Sequence, residues 1–183
     1  MATTSTYACM VVGTGPAGLA AALSLASIGA EVTLAGPPAP VAAAADTRTA
    51  ALFNGSITLL QNLGVWDGLE AVSAPLEAIR IVDDTGGILR APEVLFEARE
   101  VGESVFGWNV PHGPLGEALW QAVQRHPRIT VVETARVEHV VIGSDEVVAR
   151  TAEGEELKAR LVAAADGRNS ICRAAAGIAT TKW

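Results

Sequence analysis

The tightest limit on how this chain folds is set by a glycine-rich hexapeptide near its amino terminus: Gly13, Thr14, Gly15, Pro16, Ala17 and Gly18. The hexapeptide follows a short apolar segment, Tyr7 to Val12, which is typical of a buried strand. It opens a segment, Pro16 to Ile28, whose apolar residues recur at helical spacing, and Glu31 to Ala35 then reads as a second strand. The amino-terminal region is therefore predicted to be a β-α-β unit.

The residue types in the hexapeptide suit the binding of a dinucleotide. Gly13 permits a tight turn, Gly15 leaves room for a pyrophosphate beside the backbone, and Gly18 allows the helix and the strand to pack closely. Pro16 suits the first turn of a helix, whose amide groups attract anions. Because the motif lies between a strand and a helix, we predict a dinucleotide site; FAD, NAD and NADP all satisfy the motif.

An acidic residue usually ends the second strand of such a unit, where it accepts hydrogen bonds from the adenosine ribose. Here that position falls near Ala35 and Gly36, and the acid is missing. Asp46 could replace it only if the intervening loop folds back. A small residue with an arginine nearby also occurs where NADP is bound, and Arg48 fits that interpretation.

The rest of the chain predicts alternating helices and strands. A helix is expected to begin at Asp46 or Thr47 and end at Gly64, with Leu52, Ser56, Leu59, Leu60 and Leu63 on its inward face. A second, amphipathic helix begins at Pro114. Further strands are predicted at 79–82, 87–90, 94–98, 106–110, 129–133, 137–142, 147–151 and 157–165.

These elements predict the α/β class: a Rossmann-like domain with a parallel sheet, helices and a small antiparallel meander near the carboxyl end. The last predicted strand ends at Asp166-Gly167. In an open α/β sheet, the residues that follow such a strand lie on the ligand side, although Asp-Gly is also an ordinary turn.

Composition excludes several other classes. Half of the 183 residues are hydrophobic and 18% are charged, which is typical of a globular chain. The net charge of −7 argues against nucleic acid as a partner. The amino terminus lacks the cationic start of a signal peptide and is interrupted by Gly13 and Pro16 before it could span a membrane. Cys9 and Cys172 form no metal-binding or redox spacing, so we expect reduced thiols, no metal site and a cytoplasmic location.

Three stretches of the sequence resemble the FAD-dependent aromatic hydroxylases, especially the branch that hydroxylates polyprenylphenol precursors of ubiquinone. They are GTGPAGLAAALSLASIGAEVTL from Gly13, DTRTAALFNGSITLLQNLGVW from Asp46 and LVAAADGRNSICRAAAGI from Leu161. The segment RAPEVLFEA from Arg90 matches as well, so the resemblance covers nearly the whole chain.

The resemblance implies FAD as the cofactor and NADH or NADPH as the co-substrate. It implies that the hexapeptide Gly13 to Gly18 binds the FAD pyrophosphate and that Arg48 contacts the flavin cofactor. It places Asp166 and Gly167 near the pyrophosphate and the nicotinamide nucleotide, and Val137 at a backbone contact with adenine. No catalytic residue is assigned.

The activity implied is hydroxylation of an aromatic ring with O₂, on a small molecule that carries a lipid tail in the ubiquinone branch. The family also has a later Gly-Asp motif, which this sequence does not contain. We therefore expect residues 1–183 to be one incomplete FAD-binding domain from a longer protein. Residues 76–111 would be an inserted antiparallel segment of its substrate domain. Peripheral association of the parent protein with the inner membrane, a homo-oligomer and a biosynthetic complex all stay open.

Two alternatives from other classes remain. An NADP-dependent reductase would explain the missing ribose acid and Arg48. A non-catalytic dinucleotide-binding remnant would explain the absent Gly-Asp motif. A flavin-dependent reductase or halogenase ranks lower, because Gly107-Trp108-Asn109-Val110-Pro111 only partly matches a halogenase tryptophan motif.

Overall fold

The computed structural model describes residues 4–38, 47–86 and 90–181. Its strands are β1 (Thr4–Val12), β2 (Val32–Gly36), β3 (Thr49–Phe53), β4 (Ala74–Leu76), β5 (Ala78–Ile81), β6 (Val94–Glu97), β7 (Gly107–Pro111), β8 (Ile129–Glu133), β9 (Val137–Ile142), β10 (Val147–Thr151) and β11 (Glu156–Ala164). Its helices are α1 (Pro16–Ser27), α2 (Asn54–Asn62), α3 (Asp67–Glu70), α4 (His112–Arg125) and α5 (Ile171–Ala175).

The largest sheet has six strands in the order β8-β2-β1-β11-β10-β9. The first four strands run parallel, while β10 and β9 continue the sheet antiparallel. Within β1, Val11 pairs with Leu34 on one side and with Ala163 on the other. Both Val11 and Leu34 are fully buried, as expected for central strands of a parallel sheet, which are covered on both faces.

Helix α1 provides the crossover between β1 and β2. Its buried residues, Gly18, Leu19, Ala22, Leu23 and Ala26, follow the helical period and form one face. The crossover and the parallel strands confirm the predicted β-α-β unit and the predicted α/β class.

The chain divides into two compact units. The first contains residues 1–44 and 115–183 and holds the six-stranded sheet. The second contains residues 45–114, with a three-stranded sheet in the order β3-β7-β4 and a two-stranded ribbon of β5 and β6. In the second unit, the rings of Trp66 and Trp108 meet edge to face, with centroids 5.5 Å apart.

The helix predicted from Asp46 or Thr47 was wrong in its first half. Asp46 lies outside the described residues, Thr49–Phe53 is strand β3, and the helix begins only at Asn54. Strand β3 forms because β7 pairs with it antiparallel, and that partner comes much later in the chain. Leu52 therefore lies in a strand, although Gly64 follows the helix as predicted, with a φ of +67°.

The inward face of α2 also differs from the prediction. Ile57 and Leu60 are the buried residues of this helix, whereas Ser56 and Leu59 are exposed. Leu60 is thus buried as predicted, and the second buried position is Ile57 rather than Ser56 or Leu59.

Other boundaries differ in smaller ways. The predicted strand 87–90 falls largely outside the described residues, and Arg90 is not in a strand. Helix α4 begins at His112, two residues before Pro114, and the proline is accommodated in its first turn. The short elements α3, β4 and α5 were not predicted.

The carboxyl-terminal meander was predicted closely. Strands β8, β9 and β10 have the predicted bounds, and β11 begins and ends one residue early. In the part of the chain that the structure describes, no helix is long and apolar enough to cross a membrane.

Candidate functional site: a cavity at the carboxyl edge of the parallel strands

The turn after β1 packs directly against the chain that leaves β11. Gly13 has a φ of +113°, and a Cβ at this position would collide with the carbonyl oxygen of Ala165. The amide of Ala165 donates to the carbonyl of Val12 at 2.8 Å, and the amide of Gly13 donates to the carbonyl of Ala35 at 2.8 Å. The turn is thus held by both neighbouring strands.

Helix α1 begins with unfilled space at its amino terminus. A Cβ at Gly15 would meet nothing within 4 Å, and no side chain among the described residues caps the helix. Pro16 and Ala17, both exposed, form its first turn, while a Cβ at Gly18 would collide with the Gly13 carbonyl. The first amides of the helix are therefore available to an anion.

The end of β2 forms the next wall. Thr14 is 6% exposed, and its hydroxyl donates to the carbonyl of Pro37 at 2.6 Å. Gly36 faces Thr14 without a side chain between them, and its carbonyl accepts a hydrogen bond from the amide of Thr134 at 3.0 Å. Among the residues that the structure describes, no acid occupies this end of β2.

The loop between β8 and β9 forms a third wall and is held from outside by Glu153, in the turn between β10 and β11. The Glu153 carboxylate accepts hydrogen bonds from the Thr134 hydroxyl and, at 3.2 Å, from the Ala135 amide. These two donors keep the pKa of Glu153 below its usual value. The loop leads to Arg136, whose guanidinium pairs with Glu138 at 2.7 Å, and to the buried Val137.

Asp166 closes the cavity on the side of β11. Its Oδ2 accepts hydrogen bonds from the first two amides of α5, those of Ile171 at 2.8 Å and Cys172 at 3.2 Å, while Ser170 is the N-cap residue of that helix. Oδ1 is buried and has no hydrogen-bond partner among the described residues. Burial acts to raise the pKa of Asp166, but the donated hydrogen bonds, chiefly from Ser170, outweigh it, so the pKa lies below its usual value.

Cys172 lies behind Asp166 and is buried. Burial, together with the negative charge of Asp166, raises the pKa of its thiol to about 12. The thiol is therefore protonated at neutral pH and takes part in core packing rather than in nucleophilic chemistry.

These walls enclose a cavity of about 440 Å³ at the carboxyl ends of β1, β2 and β11. Its lining residues are Val12, Gly13, Thr14, Gly15, Ala35, Gly36, Pro37, Ala135, Arg136, Val137, Ala165, Asp166, Gly167, Asn169 and Ile171. The volume lies within the range of about 300–1,000 Å³ that is typical of small-molecule sites. The carboxyl edge of a parallel sheet is also where such folds bind ligands.

The structure brings together most of the residues that the sequence singled out. The cavity is lined by Gly13, Thr14, Gly15, Val137, Asp166 and Gly167, while Pro16, Ala17 and Gly18 begin the adjoining helix. Arg48 belongs to the second compact unit, where its carbonyl accepts a hydrogen bond from the His112 amide at 3.0 Å.

Sequence reasoning missed several lining residues, among them Ala135, Arg136, Asn169 and Ile171. The nearest signals were available: Arg136 directly precedes Val137, and Asn169 lies in the stretch that begins with Asp166-Gly167. Nothing in the local pattern showed that Ile171 begins a helix, because α5 is only five residues long.

Comparison with known proteins identifies the family. The model of the family described as an FAD binding domain matches residues 6–182. The chain therefore belongs to the FAD binding domain family, which agrees with the resemblance drawn from its motifs.

Two curated relatives are hydroxylases by name. The chain is 34% identical over 178 residues to 3-demethoxyubiquinol 3-hydroxylase of Escherichia coli (strain K12), covering 94% of this chain and 44% of the relative. It is also 34% identical over 172 residues to ubiquinone hydroxylase UbiL of Rhodospirillum rubrum. That match covers 92% of this chain and 39% of the relative. The chain spans less than half the length of these relatives.

Solved structures share the fold. The flavin-dependent monooxygenase PieE, in complex with FAD and substrate, superposes with a TM-score of 0.72 at 23% identity, over 94% of this chain and 32% of that chain. The p-nitrophenol 4-monooxygenase PnpA from Pseudomonas putida DLL-E4 also superposes with a TM-score of 0.72, at 19% identity. That match covers 94% of this chain and 44% of PnpA. These likenesses confirm the predicted fold class.

The two glycines at the start of α1 should respond differently to a methyl group. Gly18→Ala is expected to lower the free energy of unfolding by about 1–3 kcal/mol, because the methyl meets the Gly13 carbonyl. Gly15→Ala should change it by less than about 0.5 kcal/mol, since φ is −69° and the space is open. Urea unfolding of both variants measures this; equal losses would contradict the packing described.

Asp166 should make stability depend on pH in the acid range. Its pKa is lower in the folded chain, so its stabilisation is complete above the unfolded value of about 3.9 and is lost as pH falls through the folded pKa. The stability difference between wild type and Asp166→Asn should therefore narrow between about pH 5 and pH 2.

Urea unfolding at several pH values tests this dependence on Asp166. Ser170→Ala removes one of the donors that lower the Asp166 pKa. When both proteins also carry Ser170→Ala, the stability difference between Asp166 and Asp166→Asn should therefore change less with pH. If wild type and Asp166→Asn differed in free energy of unfolding by the same amount at every pH, the lowered pKa of Asp166 would be contradicted.

Proposed function

We propose that this chain is the cofactor-binding part of an FAD-dependent monooxygenase that hydroxylates an aromatic ring, using NADH or NADPH and O₂. The substrate class proposed is a polyprenylphenol of the kind named in its ubiquinone-hydroxylase relatives. The observation that carries the proposal is the cavity itself, which joins a glycine turn and an uncapped helix terminus at the ligand edge of the sheet.

The residues present fit FAD. The uncapped amides of α1 suit a pyrophosphate, and the buried, unpartnered Oδ1 of Asp166 can accept a hydrogen bond from a ligand hydroxyl. Val137, at the buried start of β9, lines the same cavity. We propose that FAD is held by Gly13, Thr14, Gly15, Pro16, Ala17, Gly18, Val137, Asp166 and Gly167; for Arg48, a contact with the flavin cofactor stays a prediction from the sequence.

Bound FAD supplies the redox chemistry by which NAD(P)H and O₂ yield a hydroxylated ring. The residues of this chain bind and orient the cofactor: the helix terminus offsets the charge of a pyrophosphate, and the backbone walls fix its position. No described side chain of the cavity is needed as an acid or a base for that task.

We further propose that residues 76–111 contribute to the substrate domain of the parent protein. The ribbon of β5 and β6 exposes large apolar side chains, including Ile81, Val94 and Phe96, each more than 40% exposed. Such a surface suits an apolar phenol. A lipid-tailed substrate would also bring the parent protein to the surface of the inner membrane.

One observation favours a second function. The absence of an acid at Gly36 is compatible with a 2′-phosphate, as in an NADP-dependent reductase that uses this single site. The two functions differ in which nucleotide occupies the cavity of the isolated chain.

Titration of the purified chain separates these functions. By flavin fluorescence and calorimetry, FAD should bind, and Gly15→Ala should weaken it about 10-fold or more, because a methyl enters the space left for the pyrophosphate. The melting temperature of Gly15→Ala serves as the folding control. Binding of NADPH without FAD, by a folded chain, would instead favour the reductase, and binding of neither by a folded chain would mean that it holds only part of a site.

The hydroxylase proposal needs the full-length parent protein. With a phenol that carries a short prenyl tail, NAD(P)H oxidation should be stimulated, and one atom of ¹⁸O₂ should appear in the ring product. Oxidation that is unaffected by any phenol, with all the oxygen recovered as H₂O₂, would contradict hydroxylation while leaving FAD binding intact.

A further inference from the structure

The end of β2 differs from the usual dinucleotide site in a way that involves a second residue. Such sites place an acid there to accept hydrogen bonds from the adenosine ribose hydroxyls. In this chain the position is Gly36, and a Cβ built on it would lie 3.1 Å from Cγ2, 3.2 Å from the amide nitrogen and 3.3 Å from Oγ1 of Thr14. These distances are shorter than ordinary van der Waals contacts, so Thr14 takes up the space that a side chain at 36 would need.

Thr14 is fixed in that place. Its hydroxyl donates to the Pro37 carbonyl at 2.6 Å, and the residue is 6% exposed. The carbonyl of Gly36 is also engaged, by the amide of Thr134. Both sides of the contact are therefore held by hydrogen bonds, which oppose the small shift that a side chain at 36 would require.

The hydroxyl of Thr14 can do part of what the missing acid does. Donation to Pro37 uses its one proton, so the oxygen offers lone pairs to a ligand in the cavity that Thr14 lines. An oxygen acceptor is what a ribose hydroxyl requires. Unlike a carboxylate, this acceptor carries no net charge, so it repels a phosphate on the same ribose less than a carboxylate would.

The charges around the cavity agree with this. Among the described lining residues, Arg136 and Asp166 are the charged ones. Asp166 lies at the end of β11, and its Oδ2 accepts hydrogen bonds from the amides of α5. Arg136 has a side chain that is 73% exposed and pairs with Glu138. The described wall at the end of β2 therefore contains no carboxylate.

We propose that Thr14 replaces the missing acid as the acceptor for the adenosine ribose, and that this site consequently accepts adenine nucleotides with either a 2′-hydroxyl or a 2′-phosphate. The proposal deepens the proposed function, since it rests on the same cavity as the site of the adenosine half of a dinucleotide.

Calorimetric titration with ADP, AMP and adenosine 2′,5′-bisphosphate tests the proposal, because AMP and the bisphosphate differ only in the 2′-phosphate. Wild type should bind AMP and the bisphosphate with affinities within about 3-fold of each other. Thr14→Ala should weaken ADP about 2- to 10-fold, the effect of one neutral hydrogen bond, whereas Thr14→Ser, which keeps the hydroxyl, should stay within 2-fold of wild type. Circular dichroism and the melting temperature show that each variant is folded.

The double variant Thr14→Ala with Gly36→Glu restores an acid at the end of β2 and should therefore gain a preference for nucleotides without a 2′-phosphate. Removing the threonine methyl and hydroxyl relieves two of the three short contacts of a Cβ at 36, and only the contact with the amide nitrogen of residue 14 stays. The new carboxylate should then favour AMP over the bisphosphate by about 10-fold or more. Gly36→Glu alone should lower the melting temperature, because Thr14 still occupies the space.

Several results would overturn the proposal: wild type rejecting the bisphosphate by more than 10-fold, Thr14→Ala binding ADP as well as wild type, or a folded wild type binding neither nucleotide. A loss of ADP binding in Asp46→Asn would also overturn it, because the ribose acid would then come from Asp46. FAD titrated into the same samples keeps the two proposals apart: nucleotide binding as predicted without FAD binding would contradict the flavoprotein alone.

Discussion

The contact between the turn after β1 and the chain leaving β11 is the constraint on which the cavity depends. Gly13 faces the Ala165 carbonyl with no room for a methyl group, and the Ala165 amide is bonded to Val12. These residues lie at opposite ends of the sequence, and the contact exists only because β1 and β11 are neighbours in the sheet. Since backbone atoms make it, the floor of the cavity does not depend on side-chain rotamers.

Two features contribute to the charge at the cavity: the carboxylate of Asp166 and the amino terminus of α1. A carboxylate beside a pyrophosphate site is unfavourable unless its charge is engaged elsewhere. Asp166 meets that condition, because the amides of α5 and the Ser170 hydroxyl stabilise its charge and lower its pKa. The amino terminus of α1, which adjoins the same cavity, has no side-chain cap among the described residues. The site thus combines one engaged carboxylate with one open helix terminus.

Local pattern was enough to predict the β-α-β unit, the strands β8 to β10 and the glycine turn, because each is determined by neighbouring residues. It failed where partners distant in sequence decide the structure. Thr49–Phe53 is a strand because β7 pairs with it. Helix α5 was missed for another reason: its five residues are too few to show a helical period, although Asp166 and Ser170, which accept hydrogen bonds from its first amides, lie close in sequence. The missing acid at Gly36 was visible in the sequence, but the close approach of the Thr14 side chain to Gly36 needed the structure.

Glu153 shows how far the cavity extends into the rest of the first unit. It stands in the turn between β10 and β11, yet its carboxylate holds the Thr134–Ala135 loop that forms one wall. Turns between antiparallel strands usually tolerate insertions and are common places for tags, labels or fused domains. This one does not belong to that class, because a change in its length would shift Glu153 and release the loop. Protein engineers should treat it as part of the binding site.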